Sequence, residues 1–290
     1  MIFWRILDNQ LYSVGNVDKL GFELSSNTYI PDEYLEKQEF MVMRTAHGIG
    51  DWGIISAMPR LLKQKYPNCK VYVPSEKMLE QLFSNYSDMW SSWNNPFKNV
   101  HYVFDNNPYV DGFKDYMIGE VFHDHYRIYD SDNLNVPLVE QMLKFWQFNE
   151  NEYNDSQPEL YWSDGERKFG NSIIDEYVGD NFNFGCLLTS NRYEKDRDEK
   201  KIIDVLTDNK FKYFYYTHIP IEDTPFNFID KALDLRNVNP RIQMYIKSKA
   251  KLNVGNQSGI THLVVRYSDV YEVQRQFPLK HNFVKGEIYL

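Results

Sequence analysis

Cysteine is scarce in this chain: there are two in 290 residues, Cys69 and Cys186. They are far apart and no Cys-x-x-Cys occurs, so neither a zinc knuckle nor a redox dithiol is suggested. Both read as buried thiols near strands. Positive charge is also short. Lys and Arg number 32 against 41 Asp and Glu, a formal charge of −9. That balance argues against broad nucleic-acid binding, because phosphate backbones need a basic face. It leaves room for one local basic pocket. No run approaches the roughly 18 apolar residues of a membrane span. The start, Met1-Ile2-Phe3-Trp4-Arg5, lacks a basic region followed by an apolar stretch and a small-residue cleavage site. A cytoplasmic location is expected, with peripheral contact at the inner membrane face left open.

What is present is ordinary in bulk. A charged fraction of 25% and an apolar fraction of 42% fit a folded soluble protein of one large or two modest domains. Aromatics are high at 16%; they fill a core by default, or line a sugar or base site. Residues 1–38 are mixed. Ile6-Leu7, Leu11 to Val14 and Phe22 to Leu24 alternate like short strands, with Asp8-Asn9 and Gly15-Asn16 as turns. From Glu39 the rhythm becomes strand–helix–strand. Strands are expected at Phe40–Met43, Lys70–Val73 and Val100–Phe104. Helices are expected at Ile54–Gln64, Glu76–Phe83 and Val136–Trp146, with Pro59 kinking or resetting the first. A polar stretch between Asn149 and Asp164 reads as a linker. Beyond it come helices at Arg167–Tyr177, Asp198–Thr207 and Pro240–Lys249, strands at Phe182–Thr189, Lys212–Thr217 and Lys251–Val254, and a helix starting at Thr261. Such alternation implies parallel sheets. The expected domains are an extension (1–38), a first Rossmann-like half (39–160) and a second (161–290), whose tail packs back on the first or stays with its own half.

Two glycine turns carry the chemistry. The first is Arg44-Thr45-Ala46-His47-Gly48-Ile49-Gly50-Asp51-Trp52-Gly53. It satisfies Gly-x-Gly-x-x-Gly literally. A dinucleotide pyrophosphate would sit over the helix N-terminus there, however, and Asp51 would set a carboxylate beside that anion. Asp51 reads instead as a helix N-cap, as a general base taking a proton from a hydroxyl, or as both. Arg44 and His47 either bind a negatively charged acceptor or brace the loop. The second turn is Gly255-Asn256-Gln257-Ser258-Gly259-Ile260-Thr261-His262. Its backbone N–H groups and the following helix would cradle a diphosphate. The alternative is an ordinary strand–helix loop capped by Ser258.

Together these turns resemble glycosyltransferase family 9, the heptosyltransferase-like group with the GT-B fold. The family's Arg-bearing strand end, Gly-x-Gly-Asp and helix with internal proline match Arg44, Gly48, Gly50, Asp51 and Pro59. Its Gly-Asn-Asp-Ser-Gly-Pro-x-His turn is similar to residues 255–262. Gln257 stands where the family has aspartate, and Ile260 where it has proline. The resemblance implies an α/β GT-B architecture, with two Rossmann-like domains facing across a cleft. It implies an inverting transferase of hexosyl or heptosyl type, acting on a nucleoside-diphosphate sugar donor and a glycan or glycolipid acceptor. Asp51 would be the base, with Arg44, His47, Gly48 and Gly50 near the acceptor. Asn256, Gln257, Ser258, Gly259, Thr261 and His262 would hold the donor.

The loop after the strand at 182–189 supplies Thr189, Ser190, Arg192 and Lys195, where the family places a basic residue on the donor phosphates. His218 could touch the nucleoside, but reads first as a packed or exposed histidine. His123-Asp124-His125 would place two imidazoles on one strand face, but no third ligand spacing supports a closed site. No metal and no cofactor are expected. Two other classes stay open: a GT-B sugar-nucleotide epimerase or NAD-dependent oxidoreductase, and a non-catalytic nucleotide-sugar-binding protein, the last prompted by Gln257 and Ile260.

Overall fold

The computed structural model describes residues 3–7, 10–14, 39–44, 47–82, 95–116, 120–123, 136–145, 148–152, 155–179, 184–188, 199–208, 214–216, 232–256, 259–273 and 284–290. By packing, the chain divides into two compact units. One is Met1–Trp52, Ser56–Tyr129 and Glu140–Ser156; the other is Gly53–Ile55, Asp130–Val139 and Gln157–Leu290.

The chain opens with β1 (Phe3–Leu7) and β2 (Gln10–Val14), paired antiparallel with Leu7 opposite Gln10. The expected strand at Phe22–Leu24 lies outside the described residues. The first parallel sheet follows. It is built from β3 (Glu39–Met43), β4 (Lys70–Pro74), β5 (Gly112–Lys114) and β6 (Glu120–His123), in spatial order β5-β4-β3-β6. Phe40 to Met43 have no exposed surface, as a strand covered on both faces requires.

After β3 come α1 (Ile49–Ile54) and α2 (Met58–Lys65). Pro59 sits in the first turn of α2, where its missing N–H costs nothing. The proline therefore resets the helix, giving two short ones. Lys63 of α2 and Lys70 of β4 both donate to Asp111, which also accepts the Val71 backbone N–H at 2.8 Å. Burial raises the Asp111 carboxyl, but these hydrogen bonds outweigh it and hold it below the usual carboxylate range.

After α3 (Glu76–Leu82), a short helical turn at Pro96–Lys98 leads into α4 (Asn99–Phe104). This segment was expected to be a strand. The burial explains the difference: Val100, Val103 and Phe104 are buried. That is the i, i+3, i+4 face of a helix, whereas a strand would group 100, 102 and 104. α5 (Leu138–Phe145) closes this stretch.

In the second unit, α6 (Asp164–Tyr177) starts at a capping box. Ser163 Oγ accepts the Glu166 N–H at 3.2 Å, and Glu166 Oε2 accepts the Ser163 N–H at 2.7 Å. Arg241 also donates to Glu166. Burial pushes the Glu166 carboxyl up, but the bonds from Arg241 and Ser163 outweigh it and hold it low. Then come β7 (Gly185–Leu188), α7 (Glu199–Asp208), β8 (Phe214–Tyr216), β9 (Ala232–Asp234), α8 (Pro240–Lys249), β10 (Leu252–Asn256), α9 (Gly259–His262), β11 (Asp269–Val273) and β12 (Glu287–Tyr289).

Their sheet is six-stranded and parallel, in order β12-β11-β10-β7-β8-β9. Read from β9, this is the doubly wound order 3-2-1-4-5-6. Period-two alternation gives the sheet two cores. Leu187 of β7 packs with Ile202 and Leu206 of α7 and with Leu252 and Val254 of β10. Its neighbour Cys186 packs with Ile174 of α6 and with Ile242 and Ile246 of α8. Burial raises the Cys186 thiol to about 11 and lowers the Lys247 ammonium. Both cysteines are free and buried.

One expectation is corrected here. The helix expected from Thr261 to Arg266 is a single turn, Gly259–His262. The tail contributes β11 and β12 to the second sheet. No helix among the described residues is long and apolar enough to cross a membrane.

Candidate active site

In the first sheet, the strand order runs outward from β3 through β4 to β5, and then returns to β6 on the other side of β3. The carboxyl end of β3 therefore lies at the topological switch point, where open α/β sheets bind ligands. The first glycine turn occupies that position. Met43, the last residue of β3, pairs in register with His123 of β6. His123 therefore ends the neighbouring strand, while Asp124 and His125 lie outside the described residues.

Asp51 is the third residue of α1. It is not the N-cap. Its carboxylate reaches back instead, and Oδ2 accepts the Gly48 N–H at 3.0 Å, the half of a capping box that a third-position acid supplies. The Gly48 carbonyl accepts from the N–H groups of Asp51 and Trp52 at 3.0 and 3.2 Å. A Cβ on residue 48 would lie 2.5 Å from Asp51 Oδ2. Glycine at that position therefore makes room for the carboxylate. Gly50 is buried within α1.

Arg44 is 1% exposed. Its Nη1 donates to the Asp51 carbonyl at 2.7 Å, and its Nη2 stands 3.8 Å from Asp51 Oδ1. His47 is buried as well. Its ring lies edge-on to Phe97 at 5.2 Å and tilted to Trp52 at 6.1 Å. Asn99 Nδ2 donates to the His47 carbonyl at 2.8 Å. The Arg44 side chain holds the turn through Asp51, and the His47 ring packs among aromatic side chains. The Asp51 side chain keeps 33% of its surface exposed. The arrangement is a carboxylate fixed by an amide and a guanidinium, with free surface toward solvent. Such a group can accept a proton from a neighbouring hydroxyl.

The second glycine turn follows β10. In the second sheet the order reverses between β7 and β10, so the segments after both strands flank that switch point. Asn256 ends β10. Gln257 and Ser258 lie outside the described residues, as do Thr189, Ser190, Arg192 and Lys195 after β7, and Thr217 and His218 after β8. Gly259 and Ile260 are partly exposed, whereas Thr261 and His262 are buried. α9 is a single turn, so it has little macrodipole to offer an anion.

His262 points to two groups that sequence reasoning missed. Its Nδ1 is hydrogen-bonded to Glu287 Oε1 and lies 3.5 Å from Glu272 Oε1. Spacings of ten and fifteen residues form no motif, and only the pairing of β11 with β12 brings these residues to one place.

No protein-family model matches the sequence, and no curated protein matches it. Solved structures do. The glycosyl transferase family 9 protein from Veillonella parvula DSM 2008 superposes with a TM-score of 0.60 at 10% identity, covering 89% of this chain and 86% of that one. The chain has the fold of a family 9 glycosyl transferase. Two further structures are less similar in shape, and the fold does not rest on them. The E. coli ADP-heptose LPS heptosyltransferase II gives 0.44 at 13% identity, covering 87% and 92% of the two chains. The E. coli heptosyltransferase WaaC with ADP gives 0.47 at 11%, also covering 87% and 92%. On the family 9 fold the two glycine turns stand after β3 of one sheet and after β10 of the other, each at its sheet's switch point.

Proposed function

We propose that this chain is an inverting glycosyltransferase. It moves a sugar from a nucleoside-diphosphate sugar to a hydroxyl of a glycan or glycolipid acceptor. The observation that carries this reading is Asp51, an oriented and partly exposed carboxylate at the first sheet's switch point on a family 9 fold. The acceptor oxygen attacks the anomeric carbon as the bond to the donor phosphate oxygen breaks. The acceptor proton passes to the Asp51 carboxylate, and the nucleoside diphosphate leaves. Gly48 and Gly50 form the turn beside the acceptor, and Arg44 and His47 are positioning residues.

The donor diphosphate lies on the second unit, at the turn from Asn256 to Gly259. Thr189, Ser190, Arg192 and Lys195 come from the loop after β7, where Arg192 and Lys195 offset the phosphate charge. Thr261 and His262, buried just after that turn, complete the donor segment. Sugar nucleotides are cytoplasmic metabolites in this reading, so the chain works in the cytoplasm.

The test combines binding and turnover. Thermal unfolding is measured against ADP, GDP, UDP, CMP and NAD. A ligand that binds only the folded state raises the midpoint. One nucleoside diphosphate is expected to shift it, and the matching sugar nucleotide is expected to yield free nucleotide plus a glycoside. Asp51→Asn is expected to keep the shift and lose about 10²–10⁴-fold in transfer. Normal transfer by that variant would remove Asp51 as the base. A shift with NAD alone would mean an oxidoreductase, an isomerised sugar an epimerase, and binding without turnover a binding protein.

A further inference from the structure

We propose that His262, Glu272 and Glu287 form a binding site for a first-row divalent metal ion, of which zinc is the representative. The three residues come from three elements of the second unit: the end of α9, the interior of β11 and the start of β12. Their side chains are 6%, 0% and 0% exposed. One ligand atom from each lies within 4.8 Å of the others. His262 Nδ1 is directed at both carboxylates, at 3.5 Å from Glu272 and in hydrogen-bond contact with Glu287.

Charge and geometry favour a cation here. Two carboxylates buried side by side repel strongly in a medium of low dielectric constant. With an imidazolium, the three side chains sum to one negative charge. With a neutral imidazole and a divalent ion, they sum to zero. One nitrogen and two carboxylate oxygens are a donor set that suits zinc and its neighbours better than magnesium or calcium, which prefer oxygen alone. Bonds of about 2.0–2.2 Å to a tetrahedral ion separate ligand atoms by roughly 3.5 Å. The His262–Glu272 spacing already has this value, and Glu287, in hydrogen-bond contact with the ring, withdraws from it as the ion enters. The bound ion ties the edge strand β12 and the strand β11 to α9. It therefore fixes the turn from β10 into α9 through His262. This inference rests on the geometry of the cluster and is independent of the proposed sugar transfer.

The test uses the whole protein after chelator treatment and dialysis. Zinc is titrated against a chromophoric competitor, and the unfolding midpoint is followed with zinc, with magnesium and with calcium. One zinc per chain and a rise in midpoint with zinc alone are expected. Glu272→Gln and Glu287→Gln are each expected to weaken zinc by at least about tenfold, and to melt no lower than wild type in chelator because one buried charge is gone. Equal zinc affinity in wild type and both variants would overturn the site, as would no rise in wild type. Cobalt substitution of wild type reports the donors whatever the variants do. Visible bands without thiolate charge transfer are expected. A thiolate band would place the ion at Cys69 or Cys186 and overturn the assignment.

Discussion

Gly48 and Asp51 illustrate how one missing carbon can set a local geometry. A Cβ at residue 48 would stand 2.5 Å from Asp51 Oδ2, and that oxygen is the end of a short, partly exposed side chain that can swing away. Gly48→Ala should therefore leave the fold intact and break the N–H to carboxylate bond that aims Asp51. Displacing a catalytic group by about 1 Å costs on the order of a hundredfold in rate. The expected outcome is transfer activity down by about that factor, with the unfolding midpoint within about 0.5 kcal/mol of wild type. Both are measured on one preparation. Unchanged activity would show that the amide does not aim the base. At this scale the place of the turn after β3 was legible, because Gly-x-Gly-Asp after an apolar strand is a local pattern. The capping role of Asp51 was placed at the wrong position, since helix starts shift by a residue or two. The fate of Arg44 and His47 was not legible. Whether a polar side chain braces or binds depends on what covers it, and at His47 Phe97 and Asn99, about fifty residues on, do so. Glu272 and Glu287 gave no signal for the same reason.

Between helices the same steric logic works against local propensity. Gly170 lies within α6, where alanine would be favoured by about 1 kcal/mol. A Cβ there would meet Tyr245 Cδ1 of α8 at 2.3 Å. Tyr245 has little room to retreat. Its hydroxyl donates to Asn171 Oδ1 at 2.8 Å, and its ring meets Trp162 edge-on at 5.4 Å. Overpacking of this kind costs typically 1–3 kcal/mol, which exceeds the propensity gain. Gly170→Ala should therefore destabilise the second unit by about 1 kcal/mol. Gly165→Ala on the same helix, where a Cβ meets nothing closer than Ser163 Oγ at 3.9 Å, should be neutral or stabilising. Denaturant unfolding of the pair separates the effects, and a stabilised Gly170→Ala would mean that the α6–α8 contact is loose. Elements were legible where period and punctuation agreed, as at α8 with Asn239 and Pro240 at its start; the period of α6 was read from Arg167, but its first turn, capped by Ser163 and Glu166, was assigned to the linker. They failed where composition and period disagreed. Val100–Phe104 has the residues of a strand and the burial of a helix. At α9, the sequence after Thr261 continues to look helical, but the chain leaves after one turn to enter β11.

The alternation of strands and helices was enough to foresee two parallel sheets, because each crossover must return the chain to the same end of its sheet. Which strands lie side by side was not written in any segment. The order β12-β11-β10-β7-β8-β9, and the recruitment of the tail as its far edge, follow from non-local pairing. That order makes a prediction for the molecule as a whole. Each unit has its own sheet, and β7 with β10 at the second switch point carries both segments assigned to the donor. A nucleoside diphosphate bound there stabilises the structure it touches by RT ln(1 + [L]/Kd), about 2.7 kcal/mol at a hundredfold excess over its dissociation constant. Opening of β7 and β10 must lose that ligand, while local opening of β3 and β4 need not. Amide hydrogen exchange, with and without the nucleotide that shifts the unfolding midpoint, should slow by up to about a hundredfold at residues 185–188 and 252–256. It should change much less at 39–43 and 70–74. Equal slowing in both sheets would mean that the two units open together. Slowing confined to the first sheet would move the nucleotide to the Gly48–Asp51 turn and reverse the assignment of donor and acceptor.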